Sequence, residues 1–241
     1  MQKLEKIGKY TLNTLDRIYY HIVGVIIKII LLFRMLGTFE RKKILPIFER
    51  RGVSIKDYTI LKLQISSLIF FLVIAASAFG FLSYSKALVL SVISGSYSLY
   101  AIFTQLKINF GKDYHAYRDF FLGYLAISIL ILIFSRLSGV EGHRRYIYTM
   151  LFSLIIAVAF SVFFKKRYGR NYTYSKVLEA GNVAIVKSSY DLLSGVKPGL
   201  FPVVNTAKAK KGDRVKVRVE SGLLNLRGSK PVEILEVAKK G

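Results

Sequence analysis

The chain has no cysteine among its 241 residues, which excludes disulfides and any thiolate-held zinc, haem or iron–sulfur centre. Histidine is almost as scarce, with His21, His115 and His143 the only imidazoles that could serve as ligands or bases. Acidic side chains number 14 against 37 Lys and Arg, a formal charge of +23. Gly-rich phosphate loops and His-Glu zinc motifs are missing as well, so no metal and no cofactor is expected. With 53% apolar residues the chain is too apolar for a disordered basic tail and too basic for an ordinary soluble enzyme. An integral membrane protein fits both averages.

The apolar residues come in runs able to cross roughly 30 Å of hydrocarbon, about 20 residues of helix. Leu63 to Leu82 carries no charge, and Ala87 to Leu106 follows after a short link containing Lys86. Phe120 to Phe134 and Tyr146 to Phe164 repeat the pattern. The runs are continuous rather than alternating, and in lipid a helix satisfies its own backbone groups, so each reads as a helix. The expected fold is an α-helical integral membrane bundle of four transmembrane helices, arranged as two hairpins, with a small C-terminal all-β, OB-like domain. The expected divisions are 1–57, a basic N-terminal region; 58–168, the transmembrane domain; and 169–241, a cytoplasmic β domain.

Before the first run, Asn13, Arg17, His21, Gly24 and Lys28 recur every three or four residues, with Ile18, Ile22, Val25, Ile26, Ile29 and Leu32 opposite. This spacing predicts an amphipathic helix lying in the membrane surface; a fifth span is the alternative. Lys and Arg crowd before Leu63 and directly after Phe164, whereas the first hairpin link holds only Lys86. Such a distribution orients a protein of the plasma membrane with both termini cytoplasmic. Arg41, Lys42, Lys43, Arg50, Arg51, Lys165, Lys166, Arg167 and Arg170 are expected to meet the anionic inner leaflet, each gaining about 1 kcal/mol. The charge is thereby explained without nucleic acid. The basic tail argues the same way, because single-strand binding wants stacking aromatics and only Phe201 follows Tyr190.

From Tyr172 onward short Val-rich stretches replace the long runs. Val177–Ala180 and Val183–Lys187 flank Gly181-Asn182, a hairpin signal. Val215, Val217 and Val219 alternate with Lys216 and Arg218, and Val232–Val237 is a further strand. Pro198, Gly199 and Pro202 read as punctuation. A small barrel of OB type accommodates these strands. The stretch Lys211-Gly212-Asp213-Arg214-Val215-Lys216-Val217-Arg218-Val219-Glu220-Ser221-Gly222-Leu223-Leu224 resembles the strand pair closing many OB-like membrane-anchored domains. Helices followed by such a domain are similar to the architecture of the NfeD family, which implies a scaffold that partners stomatin-like membrane proteins. The whole chain, including Arg167 to Tyr172 and Leu223 to Pro231, also resembles an archaeal multi-pass membrane family to which no activity is assigned.

The densest polar group near the membrane is Asp113, His115, Arg118 and Asp119. His115 with Asp113 or Asp119 is a candidate acid–base pair or metal half-site and Arg118 a candidate phosphate holder, but the simpler reading, which is preferred, is a charged helix start with an Asp at the positive end of the dipole. The spans hold no mid-depth carboxylate, which argues against ion coupling. They do hold small residues at helical intervals, Ala76 with Gly80, Ser91 with Ser94, Gly95 and Ser98, and Ser153 with Ala157 and Ser161, which are expected to pack helices closely. These features point to a non-enzymatic, membrane-anchored binding or assembly module, working with lipid and with a protein partner or as a homo-oligomer. The alternatives are an oligomeric channel or transporter, and a lipid-modifying enzyme built on the Asp113–Asp119 cluster.

Overall fold

The computed structural model describes residues 19–20, 23–24, 27–28, 31–138, 143–220 and 228–238. The chain divides into two units, Met1–Gly52 and Val53–Gly241. In the first unit the described residues are helical through Phe39, wind into a π-helical turn over Glu40–Ile44, and end in a short helix, Leu45–Arg50. Arg41, Lys42, Lys43, Arg50 and Arg51 are all exposed. Of the proposed amphipathic stripe, Gly24, Lys28 and Leu32 are described, and its other members lie outside the described residues.

The second unit begins with four long helices: α1 (Ile55–Ala78), α2 (Tyr84–Tyr100), α3 (Tyr114–Leu137) and α4 (His143–Tyr168). Among the described residues, three helical stretches have the length and composition to cross a membrane, Ile55–Ala78, Tyr84–Leu137 and Arg144–Tyr168. The middle one is 54 residues long because α2 runs on through a π turn, Ala101–Leu106, and a helical turn, Lys107–Phe110. The chain reverses at Gly111, whose backbone (φ +48°, ψ −113°) suits a residue without a side chain. The segment expected as a polar loop before the third run is thus almost wholly helical, since α3 starts at Tyr114 rather than Phe120.

Polar side chains fix the antiparallel pairing of α1 and α2. Asn109 Nδ2 donates to Thr59 Oγ1 (2.8 Å), Lys62 Nζ donates to Gln105, and Ser98 Oγ donates to Ser66 Oγ (3.1 Å). At the opposite end Ser135 Oγ and Arg145 Nη2 both donate to the Ala78 carbonyl, at 3.1 and 3.2 Å, tying the last turn of α1 to α3 and α4. Between these ties Ile60, Leu63, Phe70, Ile102, Leu106, Tyr117 and Phe121 form the buried core. Lipid tails are as apolar as these residues, so the helices gain from close van der Waals contact and from hydrogen bonds rather than from escape from water.

The small residues divide in role. Gly95 lies against the Phe70 ring, with room for a Cβ only at 3.0 Å, and Ser98 is fully buried. Gly80, by contrast, lies beyond the end of α1 at φ +78°, where it turns the chain rather than packing beside Ala76. Ala157 and Ser161 face outward, and α4 meets α3 instead through rings: Phe152 stacks on Phe134 at 4.1 Å, and Phe160 packs on Phe120.

Residues after Arg170 form a closed five-stranded barrel of β1 (Tyr172–Glu179), β2 (Val183–Ser188), β3 (Gly199–Val204), β4 (Arg214–Glu220) and β5 (Lys230–Val237) in the order β1-β2-β3-β5-β4. Alternation puts Val177, Val186, Val203, Val215, Val217 and Ile234 inside. The expected hairpin is present, with Val177 opposite Val186. β3 runs through Pro202, which sequence patterning reads as a break. The proline is tolerated because β3 meets β5, in parallel, only at Val204, leaving the side of Pro202 away from β2 unpaired.

Gly123 in α3 would place a Cβ 2.4 Å from the Phe160 ring. Gly123→Ala is therefore expected to destabilise the chain by about 1–3 kcal/mol through overpacking. Unfolding in detergent reads this, and Phe160→Leu in the same chain should restore part of the loss.

Candidate functional site

The barrel follows α4 after only three residues, Gly169, Arg170 and Asn171. Gly169 closes the last helical turn, its N–H donating to the Lys165 carbonyl at 2.9 Å, and a Cβ there would sit 2.3 Å from that same oxygen. The next residue, Arg170, turns its guanidinium inward. Nη2 donates to Asp191 Oδ2 at 3.0 Å, and Nη1 donates to Asp113 Oδ1 at 3.2 Å. Asp191 is 7% exposed and accepts two further bonds, from Thr173 Oγ1 (2.7 Å) and from the Leu193 N–H (3.1 Å). Burial opposes the charge on Arg170, and Asp191 with Asp113 more than offsets it, holding the guanidinium above its ordinary range.

The segment that carries Asp191, between β2 and β3, is the barrel's docking loop. Leu193 is buried in the helical core beside Phe164 and Tyr117. The Leu192 N–H donates to Tyr117 Oη at 3.1 Å, and the Tyr190 N–H donates to Asp57 Oδ1 at 2.6 Å in the first turn of α1. Asp57 is itself held by the helix cap, where Ser54 Oγ accepts its N–H and donates to its Oδ2. Burial pushes the Tyr190 phenol up, and a hydrogen bond with Gln64 works the other way. One loop thereby touches the starts of both α1 and α3.

Two open clefts flank this lock. One, about 720 Å³, is lined by Lys165, Arg170, Asn171, Ser194 and Ser229. The other, about 590 Å³, lies between the start of α1 and the outer face of β1. Arg170 Nε and Ser194 Oγ are buried without a hydrogen-bond partner among the described residues.

The Asp113–Asp119 cluster proposed from sequence comes apart into separate pairs. Asp113 belongs to Arg170. Asp119 accepts from Arg118 at 2.7 Å and from Tyr168, joining α3 to the end of α4. His115 is exposed with its ring 5.4 Å from that of Tyr114, and no hydrogen bond links it to either carboxylate. Of the collar expected to meet lipid, Lys165, Lys166 and Arg167 are exposed, whereas Arg170 is only 15% exposed and is engaged in ion pairs with Asp191 and Asp113. Sequence reasoning missed Asp57, Tyr117 and Asp191. The available signal was the rarity of acidic residues together with Leu192 and Leu193 in an otherwise polar connection.

Arg170→Ala leaves Asp191 buried and unpaired and is expected to cost about 3 kcal/mol. Amide exchange at Leu192 and Leu193 should accelerate in the full chain while that of Val186 inside the barrel is unchanged. The raised Tyr190 phenol favours its neutral form, so its contribution holds below the ordinary value of about 10 and is lost as pH climbs through the folded value. Wild type should lose stability above about pH 10 more steeply than Tyr190→Phe.

No curated protein and no solved structure matches the chain. A family model described as "Predicted membrane protein (DUF2101)" matches residues 38–235, a stretch containing all four long helices and nearly all of the barrel. By that match the chain belongs to the DUF2101 family of membrane proteins.

Proposed function

We propose that this protein is a membrane-anchored binding or assembly module in which four helices cross the plasma membrane and hold an OB-like barrel against its cytoplasmic face. The carrying observation is the Arg170–Asp191–Asp113 lock, which gives the barrel one orientation on the bundle. The up-and-down course of α1 to α4, read from their hydrogen bonds, supports four crossings, with the 54-residue stretch contributing two of them. The strand order and the parallel β3–β5 contact suit an OB-like, partly Greek-key barrel. Excess Lys and Arg at the Tyr168 end of α4 supports a cytoplasmic barrel. Lipid-modifying chemistry has less support, since Asp113 and Asp119 are engaged in ion pairs that hold elements together.

The absence of cysteine makes topology directly measurable. Ser85→Cys, exposed in the first turn of α2, should react with an impermeant thiol reagent added outside intact cells. Lys211→Cys, exposed on the barrel, should react only after the membrane is opened. The reverse pattern refutes the orientation.

A further inference from the structure

We propose that a crevice of about 230 Å³ between α1, α2 and α3 binds one anionic phospholipid, with an acyl chain along its wall and the headgroup on Arg136. The wall is apolar over most of its length, with Phe70 and Ile74 on α1, Ala87 on α2, and Ile129 and Leu132 on α3. Helical spacing sets Arg136 at the mouth. Ile129, Leu132 and Arg136 follow at i, i+3 and i+7, on one face of α3. Arg136 Nη2 donates to the Ser77 carbonyl at 3.3 Å and to Ser77 Oγ at 3.4 Å, and Ser77 itself lines the crevice. Tyr84, exposed in the first turn of α2, lines the same end, where an aromatic side chain meets headgroups.

The mouth carries more positive charge than its protein partners balance. Lys86, Arg136, Arg144 and Arg145 stand where α1 and α3 end and α2 and α4 begin, with no Asp or Glu among the described residues of that end. Arg145 Nη2 donates to the Ala78 carbonyl, next along the chain from the one that Arg136 holds. The partners of both guanidiniums are carbonyl and hydroxyl oxygens among the described residues. Those carbonyls close the last turn of α1, whose dipole supplies about half a negative charge against two positive ones. Glu141, the acidic residue of the α3–α4 link, lies outside the described residues.

Lipid is chosen because it alone uses both halves of the site. Inorganic phosphate would meet the cations and leave the crevice, and an uncharged chain would do the reverse. A helix from a second copy does not fit. From Phe70 to Ser77 the wall runs about 10 Å, so a crevice of about 230 Å³ has a cross-section of about 20 Å², far narrower than a helix about 10 Å in diameter.

This inference rests on α1 to α3 crossing the membrane, and it fails separately from that reading, because thiol accessibility at Ser85 and Lys211 reports the crossings whatever lipid is bound. The test uses the full chain in neutral detergent with phosphatidylglycerol carrying a diazirine in its acyl chain, and the labelled residues are mapped by peptide mass spectrometry. Label is expected within 87–92 and 129–132, displaced by unlabelled phosphatidylglycerol at least ten-fold better than by phosphatidylcholine, and not by inorganic phosphate. Arg136→Gln, which empties the mouth, and Ser91→Leu, which fills the crevice, should each weaken labelling at least ten-fold. Lys166→Gln removes equal charge at the other end of α4 and should change it less than two-fold. Phosphatidylglycerol should raise the melting point of wild type and of Lys166→Gln, but not that of Arg136→Gln, even if the last melts lower without lipid. Glu141→Gln should bind the lipid at least as tightly as wild type. Label spread evenly over the outward faces of the four helices, displacement by phosphatidylcholine or phosphate as effective as by phosphatidylglycerol, or an undiminished lipid-dependent rise in Arg136→Gln would each overturn the proposal. So would full labelling of a folded Ser91→Leu, or weaker binding by Glu141→Gln.

Discussion

The arrangement of the second unit depends on one half-buried cation. Arg170 leaves the end of α4, reaches one carboxylate at the start of α3 and another in the β2–β3 loop, and so closes a circuit through helix, helix and barrel. Its value lies more in geometry than in net energy, because the desolvation of a buried pair consumes most of its attraction. Removing the guanidinium leaves a carboxylate with nowhere to go, whereas keeping it admits a single docking position. Leu193 and the amides of Tyr190 and Leu192 then complete an interface that is apolar at its centre and hydrogen-bonded at its edge.

The bundle solves a different problem. Where the surroundings are hydrocarbon, specificity has to come from shape and from the few polar atoms present. The Thr59–Asn109, Lys62–Gln105 and Ser66–Ser98 contacts set the register of α1 against α2, and Arg145 and Ser135 share one carbonyl at the other end. α4 is held by rings and by its two ends, and only 11% of its apolar window is buried against 39% for α1. Its outward face, including Ala157 and Ser161, is the part of the bundle with least protein around it.

Much of this was legible in the residues, and what was not has physical causes. Long uncharged runs announce helices because lipid tolerates little else, and the Val alternation of β1, β2 and β4 announces strands because one face of each fills the barrel. β3 was hidden, since a proline in a central strand is normally excluded and only the single-residue contact with β5 permits it. Asp113 and Asp119 were visible as a polar cluster, but sequence proximity could not say that each would find a cation from a different place, Arg170 from 57 residues away and Arg118 from next door. Asp191 was hidden for the same reason: ion pairs over long separations leave no periodic trace.

The glycine at position 169 has a mechanical consequence. A domain on a flexible tether explores a volume and must find its partner by search, losing orientational freedom when it does. Here only three residues, Gly169 to Asn171, join the last helical turn to β1, and the side chain of the middle one is clamped on two sides. The barrel has little slack to take up, so the direction in which α4 ends and the direction in which β1 begins are set together, by the short connection and the clamp on Arg170.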